Sequence, residues 1–262
     1  MRSIAELYTD AMRQKYGMVY AAWKLGNHYE LGDYGFLNDN VFERQGNVKQ
    51  LGFDFEILKD PNPSDENYKS TGVNKNKITA DGSTVVAANA NAAVGFSIEF
   101  SNANTVFYEA MNVRTNKIDD VAKLGAEIKR IYSSGNEGEN GVKWDKKFAV
   151  ITELDVADSA TIILSNTQNA KIELRANANI SVAQLNIADP KCGWDRTSET
   201  GLESYIIANE GATPLFKLMG LKKRFLGAYI FKGQAFDKND SKTEQTEVLD
   251  FVEVIEQTWT GV

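Results

Sequence analysis

Ser83-Thr84-Val85-Val86-Ala87-Ala88-Asn89-Ala90-Asn91-Ala92-Ala93-Val94-Gly95-Phe96-Ser97-Ile98-Glu99-Phe100-Ser101 is the stretch that decides the fold class. Its even positions, from Val86 through Val94, Phe96 and Ile98 to Phe100, are all apolar, while the odd positions include Asn89, Asn91, Gly95, Ser97 and Glu99. A strand sends successive side chains to opposite faces, so the spacing predicts one long strand over 83–101 with a single apolar face. A partner strand is expected at 105–114. The same alternation recurs in Ile172, Leu174, Ala176, Ala178, Ile180 and Val182, set against Lys171, Glu173, Arg175, Asn177, Asn179 and Ser181. It predicts the return strand of a second long hairpin over 160–187, turning near Asn166–Asn169. Both stretches contain Ala-Asn-Ala-Asn, at 88–91 and 176–179, a weak internal echo.

Outward from these strands, two segments follow the helical period. Ile4, Leu7, Tyr8, Ala11 and Met12 mark an amphipathic helix over 3–16, opened by a Ser3/Glu6 capping box. Ile118, Val121, Leu124, Ile128, Ile131 and Tyr132 mark another over 118–132, with Asn116 or Asp119 as its cap. Tyr34–Leu37 and Val41–Arg44 flank Asn38-Asp39-Asn40, which reads as a hairpin. Residues 59–82, polar and carrying Pro61 and Pro63, read as a loop. Further strands are expected at 147–156, 202–208 and 225–232, and a short helix opening at Pro214. Residues 247–259 fit either a helix or a strand. The fold class is therefore α+β: a twisted, mostly antiparallel sheet with long hairpins, covered by amphipathic helices.

Composition removes several function classes. One histidine (His28) and one cysteine (Cys192) cannot build a structural zinc site or an internal disulfide. No nucleophile elbow, Walker loop or dinucleotide fingerprint is present, so no cofactor and no enzymatic activity are expected. An Asp/Glu hydrolase is the one enzyme class left open, because spacing in strands does not reveal carboxylate pairs. Met1–Glu6 lacks the apolar run of a signal peptide, and a cytoplasmic location is expected.

The net charge of −7 is unevenly placed. Residues 237–262 hold seven acids and two lysines, or −5, leaving 27 bases and 29 acids, or −2, in the other 236 residues. Nothing concentrates cations enough to neutralise many phosphates, so no nucleic-acid partner is expected. The densest basic cluster is Lys222-Lys223-Arg224, with Lys217 close by. It reads either as a solvated turn or as a contact for anionic lipid headgroups. The long alternating strands carry the same duality. A membrane-crossing strand needs about 9–11 residues of such a pattern, and small neutral residues suit a wet lumen. In a soluble protein the same apolar faces pack under helices, which leaves a binding or scaffold protein as the second reading.

The order of elements resembles the gasdermin pore-forming domain, in particular its bacterial members. The resemblance rests on Lys123-Leu124-Gly125-Ala126-Glu127-Ile128, on Trp144 followed by Phe148-Ala149-Val150-Ile151-Thr152-Glu153-Leu154, and on Glu210-Gly211-Ala212-Thr213-Pro214-Leu215-Phe216. It covers roughly 80–232. It implies a pore-forming domain over 1–236 whose hairpins, about 83–114 and 147–187, insert into a membrane as strands of a homo-oligomer. The inserting residues are then Val86, Val94, Phe96, Ile98, Phe100, Ile172, Leu174, Ile180 and Val182, with Lys217, Lys222, Lys223 and Arg224 at anionic headgroups. It further implies that 237–262 is an inhibitory segment making contact through Phe251, Val252, Ile255 and Trp259. A protease, caspase-like or other, would remove it near 233–245. The implied role is membrane permeabilisation in cell death or antiviral defence, at the inner or plasma membrane once active.

Overall fold

The computed structural model describes residues 3–22, 28–85, 93–135, 141–177, 180–226 and 246–254. Helix α1 (Ile4–Tyr16) starts where the sequence predicts, with Ser3 Oγ accepting from the Glu6 amide at 3.1 Å. A two-residue strand β1 (Tyr20–Ala21) follows. Strands β2 (Asp33–Asn38) and β3 (Val41–Asn47) form the expected hairpin. Asp39 and Asn40 both take positive φ, 48° and 61°, which is the type I′ geometry that matches strand twist. Buried Asp33 anchors this hairpin by accepting from Arg44 Nε at 2.9 Å and Asn47 Nδ2 at 3.0 Å.

The segment 59–82 is no loop. After the short β4 (Ile57–Leu58) it forms β5 (Ser64–Lys69) and β6 (Val73–Ile78). Both are edge strands rich in Asn, Lys and Glu, and such sequences carry no alternation for a half-exposed edge to display. Strand β7 (Gly95–Phe100) is shorter than the alternation suggests, and 86–92 lie outside the described residues. Strand β8 (Thr105–Ile118) is the longest. Helix α2 (Val121–Ser134) is capped by Asp120, whose side chain accepts from the Lys123 amide at 2.8 Å. Neither Asn116 nor Asp119 takes that role, and Ile118 belongs to β8.

Strands β9 (Ala149–Val156), β10 (Ser159–Ser165), β11 (Ala170–Ala176), β12 (Trp194–Thr200) and β13 (Ser204–Glu210) follow. The return strand of the second expected hairpin stops at Ala176. Ile180 lies beyond it, and Val182 begins a 3-10 turn over 182–184. Strand β14 (Leu215–Leu226) replaces the helix expected at Pro214. Strand β15 (Thr246–Glu253) shows the ambiguous C-terminal segment to be a strand up to Glu253, and 255–259 lie outside the described residues.

Among the described residues all pairings are antiparallel. One sheet runs β1-β14-β9-β8-β10-β13, joined by β2, β3, β4, β5 and β15, and the other runs β12-β11-β7-β6. The two expected long hairpins are corrected here. β7 pairs with β11 and β6, while β8 pairs with β10 and β5, so β7 and β8 lie in different sheets. β10 and β11 are divided in the same way. Four arches, at 70–72, 101–104, 166–169 and 201–203, carry the chain from one sheet to the other. Antiparallel pairing in both sheets puts all four at one end of the sandwich.

The arches are clipped in pairs. Asn102 Nδ2 donates to Thr71 O at 3.1 Å, and the Ser101 amide to Gly72 O at 2.9 Å. Thr167 Oγ1 donates to Gly201 O at 2.5 Å, and Asn166 Nδ2 to Glu203 at 2.6 Å. Strand β10 and the first residues of β8 are buried on both faces, with α1 packed against β8 on one side and the second sheet on the other. All seven residues of β10 are buried, and its Ile163 joins the inter-sheet core while Ile162 and Leu164 join the helix side. A strand covered twice shows a continuous apolar run in place of alternation. Asn112, with φ 50°, breaks β8 between its pairing with β10 and its pairing with β9.

Candidate functional site

Three features bear on function: the inter-sheet core, the C-terminal strand and a mixed-charge cleft. The inter-sheet core collects most of the expected membrane-facing residues. Phe96, Ile98, Phe100, Ile172 and Leu174 are each at most 2 % exposed. They are brought together as cross-strand partners, Ile98 opposite Ile172 and Phe96 opposite Leu174, and sealed from the other sheet by Phe107 and Ile163. Val94 and Ile180 are half-buried outside the strands, and Val86 lies outside the described residues.

The basic run lies along β14. Lys217 Nζ is held by Glu153 at 3.0 Å. Lys222, Lys223 and Arg224 stand opposite Asp250, Leu249 and Val248 in the register of β14 with β15.

The acidic C-terminal segment contributes β15, which lines β14 over eight register positions from Met219/Glu253 to Leu226/Thr246. Gly125 of α2 is the notch that admits it. A Cβ built on Gly125 would meet the Cβ and ring of Phe251 at 2.8 Å, closer than real side-chain contacts allow. Glycine inside a helix costs about 0.5–1 kcal/mol relative to alanine, and here it allows the close approach. Lys129 lies 3.9 Å from Asp250, and the Tyr20 hydroxyl donates to Val254 O at 2.9 Å. Phe251 and Val252 are half-buried, whereas Ile255 and Trp259 lie outside the described residues.

The cleft, of about 470 Å³, opens where β4, β8, β9 and β14 run side by side beneath the end of α1. Register places Leu58, Lys117, Glu153 and Lys217 in one row across the four strands. Thr115 and Asp155 form the next row on the same face. Thr115 Oγ1 donates to Asp155 Oδ1 at 2.6 Å. Burial pushes the Asp155 carboxyl up to about 6; the Thr115 hydrogen bond and Lys217 oppose that shift, while Glu66 and Glu153 add to it. The hydroxyls of Tyr8 and Tyr108, both buried, have no hydrogen-bond partner among the described residues, and burial pushes both well above the usual phenol range. Tyr16 donates to Glu66 Oε2 at 2.8 Å and is raised as well, first by burial and then by that carboxylate.

No sequence motif reveals this cleft, since its residues come from strands far apart in the chain. The local signal is Glu153-Leu154-Asp155, two acids on one face of a strand otherwise buried. Cys192 is buried. Among the described residues no cluster of His, Cys, Asp and Glu is arranged to hold a metal, and no helix is long and apolar enough to cross a membrane.

No protein-family model matches the chain, and no curated protein matches it. Among solved structures it is similar to a bacterial gasdermin from Bradyrhizobium tropiciagri. The identity is 12 %, over 83 % of this chain and 86 % of that one, with a TM-score of 0.33.

Proposed function

We propose that this chain is a non-enzymatic, pore-forming effector held inactive by its own C-terminal segment. In this reading a protease, caspase-like or other, cuts between 237 and 245 and β15 leaves β14. Copies of the freed protein assemble and permeabilise an anionic inner or plasma membrane in cell death or defence. The observation that carries it is the arch arrangement of β7–β8 and β10–β11. Each pair is joined by a four-residue turn, and the apolar faces of β7 and β11 are sealed together in one inter-sheet core. Swinging each pair from arch to hairpin would turn Phe96, Ile98, Phe100, Ile172 and Leu174 outward to lipid. A closed barrel of such hairpins satisfies every backbone polar group in the bilayer. Lys222, Lys223 and Arg224 of β14 are the headgroup contacts in this account, and Phe251 and Val252 the inhibitory ones.

One observation favours a second reading, a soluble binding or scaffold protein. Val254, just past β15, is fully buried and its carbonyl accepts from buried Tyr20, so the end of β15 is anchored in the main core. Dye release from anionic vesicles separates the two. Protein cut within 237–245 is expected to empty the vesicles while intact protein leaves them sealed. A cut protein that keeps its circular dichroism and releases no dye overturns the pore reading.

A further inference from the structure

The cleft beneath α1 is electrically divided. Its first row, Lys117, Glu153 and Lys217, carries one net positive charge, and the rim adds Lys59 and Asp60, whose charges offset. Among the described residues no carboxylate lies within ion-pair distance of Lys59 or Lys117, whereas Lys217 is occupied by Glu153. The second row holds Asp155. A carboxylate can accept about four hydrogen bonds, and among the described residues Thr115 is its one donor. The rows lie about 6–7 Å apart along the strand. At the mouth, Leu58 is 53 % exposed, the large apolar side chain most open to solvent among the described residues. Apolar lip, positive row and unsatisfied carboxylate thus follow one another within a single cleft.

We propose that this cleft binds a phospholipid headgroup of the phosphoethanolamine class. The phosphodiester sits over Lys117 and Lys59, the primary ammonium donates to Asp155, and the first acyl carbons cover Leu58. Three N–H donors on a compact ammonium match the free acceptor sites of Asp155, and a two-carbon spacer suits the step from one row to the next. A quaternary choline ammonium has no N–H to give, and a glycerol headgroup has no charge to offer. The proposal gives the membrane reading a lipid class and rests on that reading for where the ligand is met. Its chemistry requires neither cleavage nor a pore.

The test is calorimetric titration of the intact chain at pH 7.5 with water-soluble dihexanoyl-phosphatidylethanolamine, and with the choline and glycerol analogues as comparators. The ethanolamine lipid is expected to bind at least tenfold more tightly than either comparator. Asp155→Asn and Lys117→Glu are each expected to weaken it at least tenfold. Lys117 is exposed, so its variant separates loss of the site from loss of the fold. No binding of the ethanolamine lipid, equal binding of all three, or an unchanged affinity in Asp155→Asn overturns the proposal. Because intact protein and soluble lipid are used, such a failure stands apart from the dye-release result.

Discussion

Asp155→Asn is expected to stabilise the protein by up to about 3 kcal/mol at pH 7.5 and to change it little at pH 4. The folded-state carboxyl titrates near 6, against an ordinary 3.8. Between those values the folded chain holds a proton that the unfolded chain has released. Stability of the natural protein therefore falls as pH rises through this window and levels off above about pH 6. The gap of about two pH units corresponds to about 3 kcal/mol, an upper bound because solvent reaches part of the side chain. Asparagine carries no charge, still accepts from Thr115, and escapes the loss. Urea unfolding of both proteins at several pH values reads the effect directly. Parallel stability curves across pH 4–7.5 would show that Asp155 is not held in a charge-averse setting.

Gly125→Leu is expected to loosen β15 without unfolding the rest. A side chain at 125 meets Phe251 at 2.8 Å, and Phe251 cannot yield without moving its strand. Overpacking of this kind typically costs about 1–3 kcal/mol. Amide exchange should report it as a drop of about tenfold or more in the protection of 246–254, with β8 and β10 unchanged. Phe251→Gly in the same chain removes both the ring and the Cβ that stand 2.8 Å from position 125 and should restore part of that protection. Equal protection in the natural protein and in Gly125→Leu would show that the notch does not hold the strand. If the C-terminal segment is inhibitory, the Gly125→Leu protein should also leak dye from vesicles without being cut.

Much of the fold is legible in the sequence because the local signals agree with the tertiary ones. The period of α1 and the alternation of Phe96, Ile98 and Phe100 each bury the face that they predict, and Asp39-Asn40 turns the chain where the sequence places the hairpin. Sequence reasoning fails where the partner is remote. The turns at 101–104 and 166–169 look like hairpin turns locally, yet they bend between sheets because β7 finds β11 and β8 finds β10. Edge strands β5 and β6 carry polar sequences that only sheet pairing orders. The short helix expected at Pro214 gives way to β14, which β9 and β15 flank. Among the candidate residues, the inter-sheet cluster is legible as one apolar face. The Gly125 notch and the Asp155 cleft are not, since each depends on atoms more than 35 positions away in the chain.

The central claim is that β7 and β11 part when the protein acts. Ser97 and Glu173 are direct cross-strand partners, and such pairs bring Cβ atoms within about 4.5–5.5 Å, near disulfide reach. A Ser97→Cys/Glu173→Cys protein, oxidised, cut within 237–245 and mixed with dye-loaded anionic vesicles, measures the claim directly. The account predicts silence while the disulfide is intact and full release once a reductant opens it. Release that is equally fast with the disulfide closed would mean that the sandwich does not open, and would contradict the account.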